Sequence, residues 1–444
     1  MKTIYFIGIG GIGMSALARY HQRRGATIYG YDRTETPLTR ALASEGMHIH
    51  YTDDVHLIPD QVDMVVYTPA VPASHSELQW FRANGYPVYK RAEVLGLISR
   101  EKRALAVAGT HGKTTTSSLV AHLLRAGGVD ATAFVGGLAL NLGGNYAEGN
   151  SEWVVVEADE FDRSFLHLHP EVAILNSIDP DHLDIYGTPE ALRDAYARFA
   201  GQVSPDGLLL MQADIDLPKA GNVKTFGIEK GDYRAQNLHV EDGWMVFDLQ
   251  TPALLFDGLR MAFPGIYNVS NATAAIAAAL YAGAPADQIA PALAAYKGVH
   301  RRFEFILRTA SVVFIDDYAH HPAELESVIQ AIRALYPNRR LTGVFQPHLF
   351  SRTRDFVEGF AAALDKLDSA LLLDIYPARE EPIPGVDSQM ILDRMTLTDR
   401  SLVSKAALTT EIAQRRPELL VTLGAGDIDA LVQPLSETLK KAML

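Results

Sequence analysis

Short apolar runs recur along the chain, and most of them end in glycine, asparagine, aspartate or histidine. Ile4 to Ile7, Thr27 to Tyr31, Met64 to Tyr67, Ala104 to Val107, Trp153 to Val156 and Val172 to Leu175 are of this kind. So are Val312 to Ile315, Leu341 to Phe345, Leu371 to Leu373 and Leu419 to Leu423. Their length and lack of alternation predict buried strands. Between them lie segments with helical spacing, such as Met14, Leu17, Ala18 and His21, or Leu119, Val120, Leu123 and Leu124. Strand–helix alternation with polar strand ends predicts an α/β chain of doubly wound sheets, each with its cleft at the strands' C-terminal edge. From 205 to 265 the pattern shifts to short alternating pieces such as Trp244 to Phe247, read as a β-rich insertion. An alanine-rich helix then leads from Tyr267 to Leu280, closed by Gly283 and Pro285, with Asn268 or Ser270 available as its cap. The basic residues Arg91, Arg100, Lys102 and Arg103 read as a solvated face on a helix and linker.

At 444 residues the chain exceeds one ordinary core. The punctuation divides it into units at 1–100, 101–298 and 299–444. No apolar run reaches the roughly 18 residues of a membrane helix. The apolar start breaks at once into Gly8, Gly10, Gly11 and Gly13, which predicts a first strand rather than an export signal. With no cysteine, thiolate catalysis and cysteine metal sites are excluded, and a cytoplasmic location is expected. A net charge of −13 argues against a nucleic-acid surface, so an anionic ligand needs local cations. No pattern sets an oligomeric state.

The candidate chemistry sits at strand ends. Ala104 to Val107 leads into Gly109-Thr110-His111-Gly112-Lys113-Thr114-Thr115-Thr116 and then a helix. That is the context of a phosphate loop, in which backbone N–H groups and a helix N-terminus face the anion, the lysine adds charge and a threonine hydroxyl reaches magnesium. The first glycine of the common form is replaced by Val107, so the loop is a tighter variant. Glu157, Asp159 and Glu160 follow the Trp153 strand, where magnesium ligands belong. Asp179, Asp181, His182 and Asp184 follow the Val172 strand, and their position favours a role for His182 at the site.

In the first unit Gly8-Ile9-Gly10-Gly11-Ile12-Gly13 lies between strand and helix, with Asp32 about 20 residues on. This is a dinucleotide fingerprint whose diphosphate could belong to a nicotinamide dinucleotide or a nucleotide-sugar. The Met64 strand ends at the turn beginning Thr68. In the third unit Asp316, Asp317, His320 and His321 follow one strand, and His348, Arg352 and Arg354 another. The pair of histidines invites a zinc reading, but no helical i, i+4 pair and no cysteine supports it. Arg302, Arg352 and Arg354, beside turns after strands, favour anion clamping.

Taken together, Gly8 to Ser15, Gly109 to Thr116, Glu157 to Glu160, Asp181 to Asp184, Asn268-x-x-Asn271, Arg301 to Phe303 and Asp316 to Pro322 resemble the Mur ligases, in order and across all three units. The resemblance implies a Rossmann-like N-terminal domain for a UDP-sugar, a central P-loop ATPase domain with a mixed sheet, and a Rossmann-like C-terminal domain that takes the amino acid and closes over ATP. It implies an enzyme that uses ATP and magnesium, two ions in all, to join L-alanine to the lactyl carboxylate of UDP-N-acetylmuramate through an acyl phosphate. Carried over by residue, Lys113 meets the β- and γ-phosphates, Thr114 and Glu157 hold one metal, and His182 holds a second. Gly109, Thr110, His111, Gly112, Thr115, Asn268 and Asn271 complete the ATP site, which Arg302 and Asp317 orient. Gly8, Gly10, Gly11, Ile12, Gly13, Asp32 and Thr68 take the UDP-sugar, and His348, Arg352 and Arg354 the amino acid's carboxylate. Leu349 replaces an arginine of some relatives, and the absence of lysine from Leu183 to Pro218 implies no carbamylated lysine. The rivals are a sister ligase that adds a preformed peptide, an NAD-dependent oxidoreductase and a non-enzymatic, nucleotide-gated interaction protein.

Overall fold

Ile4, Tyr5, Phe6 and Ile7 are fully or almost fully buried, as a strand covered on both faces requires. Their strand, Thr3–Ile7, is the centre of a five-stranded parallel sheet in the order His48–His50, Thr27–Tyr31, Thr3–Ile7, Met64–Tyr67, Val88–Lys90. The computed structural model describes residues 2–180, 183–218, 221–378 and 380–442. The helix Ile12–Arg23 starts directly after Gly11, so the first glycine loop occupies the carboxyl edge of this sheet.

Strand Arg103–Ala108 is wholly apolar after its first residue and lies between two parallel neighbours, Pro170–Leu175 and Trp153–Glu157. Three adjacent strands thus deliver three loops to one edge: the phosphate loop, the acids from Glu157 onward, and the segment from Asn176 onward. The sheet is mixed and ten-stranded. Thr132–Ala139 and the antiparallel Gly144–Ala147 extend it on one side, and the five strands from Leu208 to Met261 extend it on the other. The expected β-rich insertion is therefore a continuation of the central sheet, because each new strand satisfies the backbone groups of the edge before it. The alanine-rich helix is Ile266–Tyr281 and starts earlier than a cap at Asn268 or Ser270 would allow, which places Asn268 in its first turn and Ser270 just beyond it. Its small side chains let it pack against the helix Lys113–Ala126.

Apart from residues 239–246 and Met261, these two sheets belong to one compact unit, Met1–Leu238 with Phe247–Arg260 and Ile266–Tyr296. Within it, the helix behind the first glycine loop lies on the edge strands of the central sheet. Tyr20 stacks obliquely on Phe134, with ring centroids 5.4 Å apart, and meets Tyr146 edge-on. The fully buried Asn145 receives the Arg19 guanidinium at 2.9 Å and donates to Ser15 Oγ at 3.0 Å. A buried amide satisfied on both sides fixes one docking geometry.

The second unit is His239–Val246, Met261–Gly265 and Lys297–Leu444. Its six-stranded sheet runs Glu304–Arg308, Val313–Asp317, Leu419–Leu423, Leu341–Phe345, Ser369–Leu372, Arg400–Leu402, and only the first pairing is antiparallel. Apart from the edge strand Arg400–Leu402 the parallel strands are buried along their whole length, and their carboxyl edge carries Asp317, Gln346 and Gly424.

Candidate active site

The phosphate loop is shaped by two glycines that no other residue could replace without strain. Gly109 has φ +135° and a Cβ there would meet Ser177 N at 2.9 Å; Gly112 has φ +79° and its Cβ would meet Asn271 Oδ1 at 2.5 Å. The loop is held open from the neighbouring strand's end. Thr110 N donates to Ser177 O at 3.2 Å, His111 N to Ser177 Oγ at 2.9 Å, and Thr110 Oγ1 to Asp179 O at 2.8 Å. The His111 ring is exposed, 3.7 Å from Asp179. Asn271 lies against Gly112 from the helix Ile266–Tyr281, while Thr115 and Asn268 lie in the first turns of their respective helices.

Lys113 Nζ donates to both Glu160 carboxylate oxygens at 2.8 Å, and to Gly109 O at 2.8 Å. Glu160 is fully buried, and that burial pushes its carboxyl above the usual range against the pull of Lys113. The lysine is thus held curled over the loop by an acid that strand-end position had suggested as a magnesium ligand and that here pairs with the lysine instead. Thr114 Oγ1 donates to Glu157 Oε1 at 3.1 Å, and Gly136 N to Glu157 Oε2 at 3.0 Å. Burial raises Glu157 too, against the bond from Thr114 and the nearby charge of Lys113. A hydroxyl and a carboxylate, both hard oxygen donors beside a phosphate loop, fit a magnesium ion. His182 and Asp181 lie outside the described residues.

At the first glycine loop Gly8 has φ +86°, and a Cβ there would lie 2.6 Å from Thr68 Cγ2. Gly11 forms the start of the helix, and Ile12 and Gly13 its first turn. Asp32 accepts from Gly10 N at 2.7 Å and from Thr34 N at 3.2 Å, so both of its oxygens brace the backbone. The structure therefore gives Asp32 a loop-shaping contact that fingerprint reasoning did not anticipate.

A cavity of about 230 Å³ runs from this loop to the acids, lined by Ile12, Gly13, Arg91, Phe134, Gly136, Glu157 and Asp159 among others. Sequence reasoning missed Gly136, Asn145, Asn176 and Ser177. Only strand-end position and a strand glycine, which signals close approach, could have pointed to them. It also misplaced Arg91, which is turned inward rather than solvated.

In the second unit Asp317 accepts from Phe303 N and Ala319 N, both at 2.7 Å, and burial pushes its carboxyl up to about 6. Arg301 and Phe303 are both left-handed (φ +59° and +48°), and Arg301 donates to Asp316 at 3.1 Å. That folded turn leaves the Arg302 guanidinium 5.4 Å above the Tyr318 ring. His348 stacks on Tyr376 and has its Nδ1 3.4 Å from Arg352, after which Leu349 takes φ +71°. A leucine in that region signals local strain. Arg354 is not brought to this pair: it is exposed and held by Asp355 at 2.7 Å. Among the described residues no metal-binding cluster of His, Asp and Glu forms, His320 being bonded to Tyr318 O and Glu324.

Family models match in the same order as the sheets: "Mur ligase family, catalytic domain" over 3–103, "Mur ligase middle domain" over 107–279, and "Mur ligase, glutamate ligase domain" over 301–427. The UDP-N-acetylmuramate–L-alanine ligase of Flavobacterium johnsoniae is 48% identical over 99% of this chain and 98% of its own. The enzyme of that name from Porphyromonas gingivalis W83 is 48% identical over 99% of each. The chain belongs to the Mur ligase family. The crystal structure of UDP-N-acetylmuramate–alanine ligase MurC from Thermotoga maritima superposes with a TM-score of 0.86 at 30% identity, covering 100% of each chain. A murein peptide ligase from Psychrobacter arcticus shares the Mur ligase fold, with a TM-score of 0.68 at 22% identity over 99% of each chain. No helix among the described residues is long and apolar enough to cross a membrane.

Proposed function

We propose that this chain is a cytoplasmic ATP-dependent ligase that joins L-alanine to the lactyl carboxylate of UDP-N-acetylmuramate, supplying a peptidoglycan precursor. The observation that carries the reading is the pairing of the Lys113 loop with Glu157 and Glu160, in a chain 48% identical along its length to ligases of that name. In this reading 1–100 takes the sugar nucleotide, 101–298 takes ATP, and 299–444 takes the amino acid.

A carboxylate is a poor electrophile. Its oxygen attacks the γ-phosphorus, ADP leaves, and an acyl phosphate forms. The amine of alanine then attacks the acyl carbon, loses a proton, and phosphate leaves. Lys113 exchanges its hold on Glu160 for the β- and γ-phosphates, whose charge it offsets. The backbone N–H groups between Gly109 and Lys113 cradle the same oxygens, so catalysis comes from positioning and charge neutralisation. Magnesium held by Thr114 and Glu157 would supply Lewis acidity toward the triphosphate. A second ion, assigned to His182, rests on the family resemblance. Asn268, Asn271, Arg302 and Asp317 are assigned to the nucleotide, and His348 with Arg352 to the carboxylate of alanine.

Phosphate release is the test, with UDP-N-acetylmuramate and ATP present and the amine varied. L-Alanine is expected to stimulate it strongly and a preformed tripeptide weakly. Stimulation by the peptide alone would move the chain to the recycling reaction.

A further inference from the structure

We infer that Arg91 is the residue that reads the lactyl carboxylate of the sugar nucleotide and holds it between the two glycine loops. The inference rests on the ligase reading above. Arg91 is mostly covered, with 22% of its side chain exposed, yet among the described residues its guanidinium makes no hydrogen bond. Its one ion pair is long, 3.9 Å to Asp159. Five N–H donors in a rigid fork, largely withdrawn from water and left without a close acceptor, are costly unless a ligand completes them.

Its surroundings say which ligand. The guanidinium lies on the face of Gly13, where a Cβ would come within 2.8 Å of Nη1, so any side chain there would displace it. At its other end it points toward Asp159, two residues from Glu157. Among the described residues lining the cavity, Arg91 is the one cation, and it shares the lining with the acids Glu157 and Asp159. An anion entering beside those acids needs it. The diphosphate has the backbone N–H groups of the first glycine loop. The carboxylate that must meet the γ-phosphate has to lie at the Glu157 end, which is where Arg91 reaches. A planar fork matches a carboxylate in bidentate fashion, and the loosely held Asp159 can yield without loss of a close bond.

The experiment is calorimetric titration of the wild type, Arg91→Lys and Arg91→Ala. The ligands are UDP-N-acetylmuramate, ATP and UDP-N-acetylglucosamine, which is the same sugar nucleotide without its lactyl ether. In the wild type the lactyl compound is expected to bind more tightly. Arg91→Ala should lose about 10- to 100-fold for it, in line with a desolvated charge-assisted pair. It should lose less than about threefold for UDP-N-acetylglucosamine and for ATP, and Arg91→Lys should fall between. Unchanged ATP affinity shows that the variant is folded. Equal losses for both sugar nucleotides would mean that Arg91 holds the diphosphate, and no loss would make it an ordinary surface arginine. Either outcome overturns the inference while leaving the ligase reading intact. A wild type that binds UDP-N-acetylmuramate no better than UDP-N-acetylglucosamine, or does not bind it, overturns the inference too. Failure of the ligase reading is seen separately, as absence of alanine-stimulated phosphate release in the wild type.

Discussion

The chain contains two strand–glycine–helix turns, and they are built on the same backbone device with opposite side-chain economies. At Gly8–Gly13 the one charged group among the described residues that hydrogen-bonds the loop's backbone is Asp32, which accepts from Gly10 N–H and Thr34 N–H. The loop itself carries no cation and offers an anion its amides and a helix end, with Arg91 standing against Gly13 from another helix. At Gly109–Lys113 the cation is on the loop itself and is opposed by buried Glu160, with Glu157 beside it. In the reading proposed above, the first loop holds an anion that stays unchanged. The second combines a mobile positive charge with carboxylates suited to a metal, which is what a group that accumulates and transfers charge requires. The same fold-level motif therefore does not fix chemistry; the residues at the neighbouring strand ends do.

The largest effect should come from removing the cation. Lys113→Ala is expected to lower turnover by at least about 10³-fold, comparable to losing a principal charge contact in phosphoryl transfer, while calorimetry still shows sugar-nucleotide binding. Near-wild-type turnover would erase the distinction between the loops. Next come the glycines. Gly112→Ala combines a left-handed φ with a Cβ 2.5 Å from Asn271 Oδ1, so ATP affinity should fall by about 100-fold, roughly 2–3 kcal/mol. Gly10→Ala meets only the ends of Thr39 and Asp32, at 2.7 and 2.8 Å. It should weaken the sugar nucleotide alone, and by less. Asp32→Asn replaces a charge-assisted bond by a neutral one. About 1–2 kcal/mol, or a tenfold rise in KM for the sugar nucleotide with KM for ATP unchanged, is expected. A matching rise for ATP would show that the loops are coupled through Asn145.

Much of this was legible in the apolar runs. Thr27–Tyr31, Met64–Tyr67, Leu341–Phe345 and Leu419–Leu423 form as their composition predicts, because buried parallel strands need uninterrupted apolar residues. The short strands His48–His50 and Val88–Lys90 were not legible: each has polar or half-buried residues and is completed only by a neighbouring strand. Single residues divided the same way. Lys113, Thr114 and Glu157 sit at strand ends whose sequence announces them. Glu160 and Asn145 derive their roles from partners 47 and 130 residues away, Lys113 and Ser15. Arg91 read as solvated because charge on a helix usually is. Its inward turn depends on Gly13 lacking a side chain.

The smallest effect separates burial from ligand binding, using an acid that touches neither loop. Glu77 is fully buried, accepts from Tyr5 Oη at 2.8 Å and Asp54 N at 3.2 Å, and lies 3.6 Å from His50 Nε2. Burial pushes its carboxyl up to about 7, as burial also raises Glu157 and Glu160. The folded chain therefore binds this proton more tightly than the unfolded chain. Its contribution is fully present below the usual carboxylate pKa, about 4.5, and is lost as pH rises toward 7. Glu77→Gln cannot ionise, so Tm should fall less steeply between pH 4.5 and 7 than in the wild type, with both substrate affinities unchanged. An unaltered slope would mean that Glu77 stays charged through its bonds to Tyr5 and Asp54. Burial alone would then not explain the raised acids beside Lys113, and the contrast between the loops would rest on cations and metal.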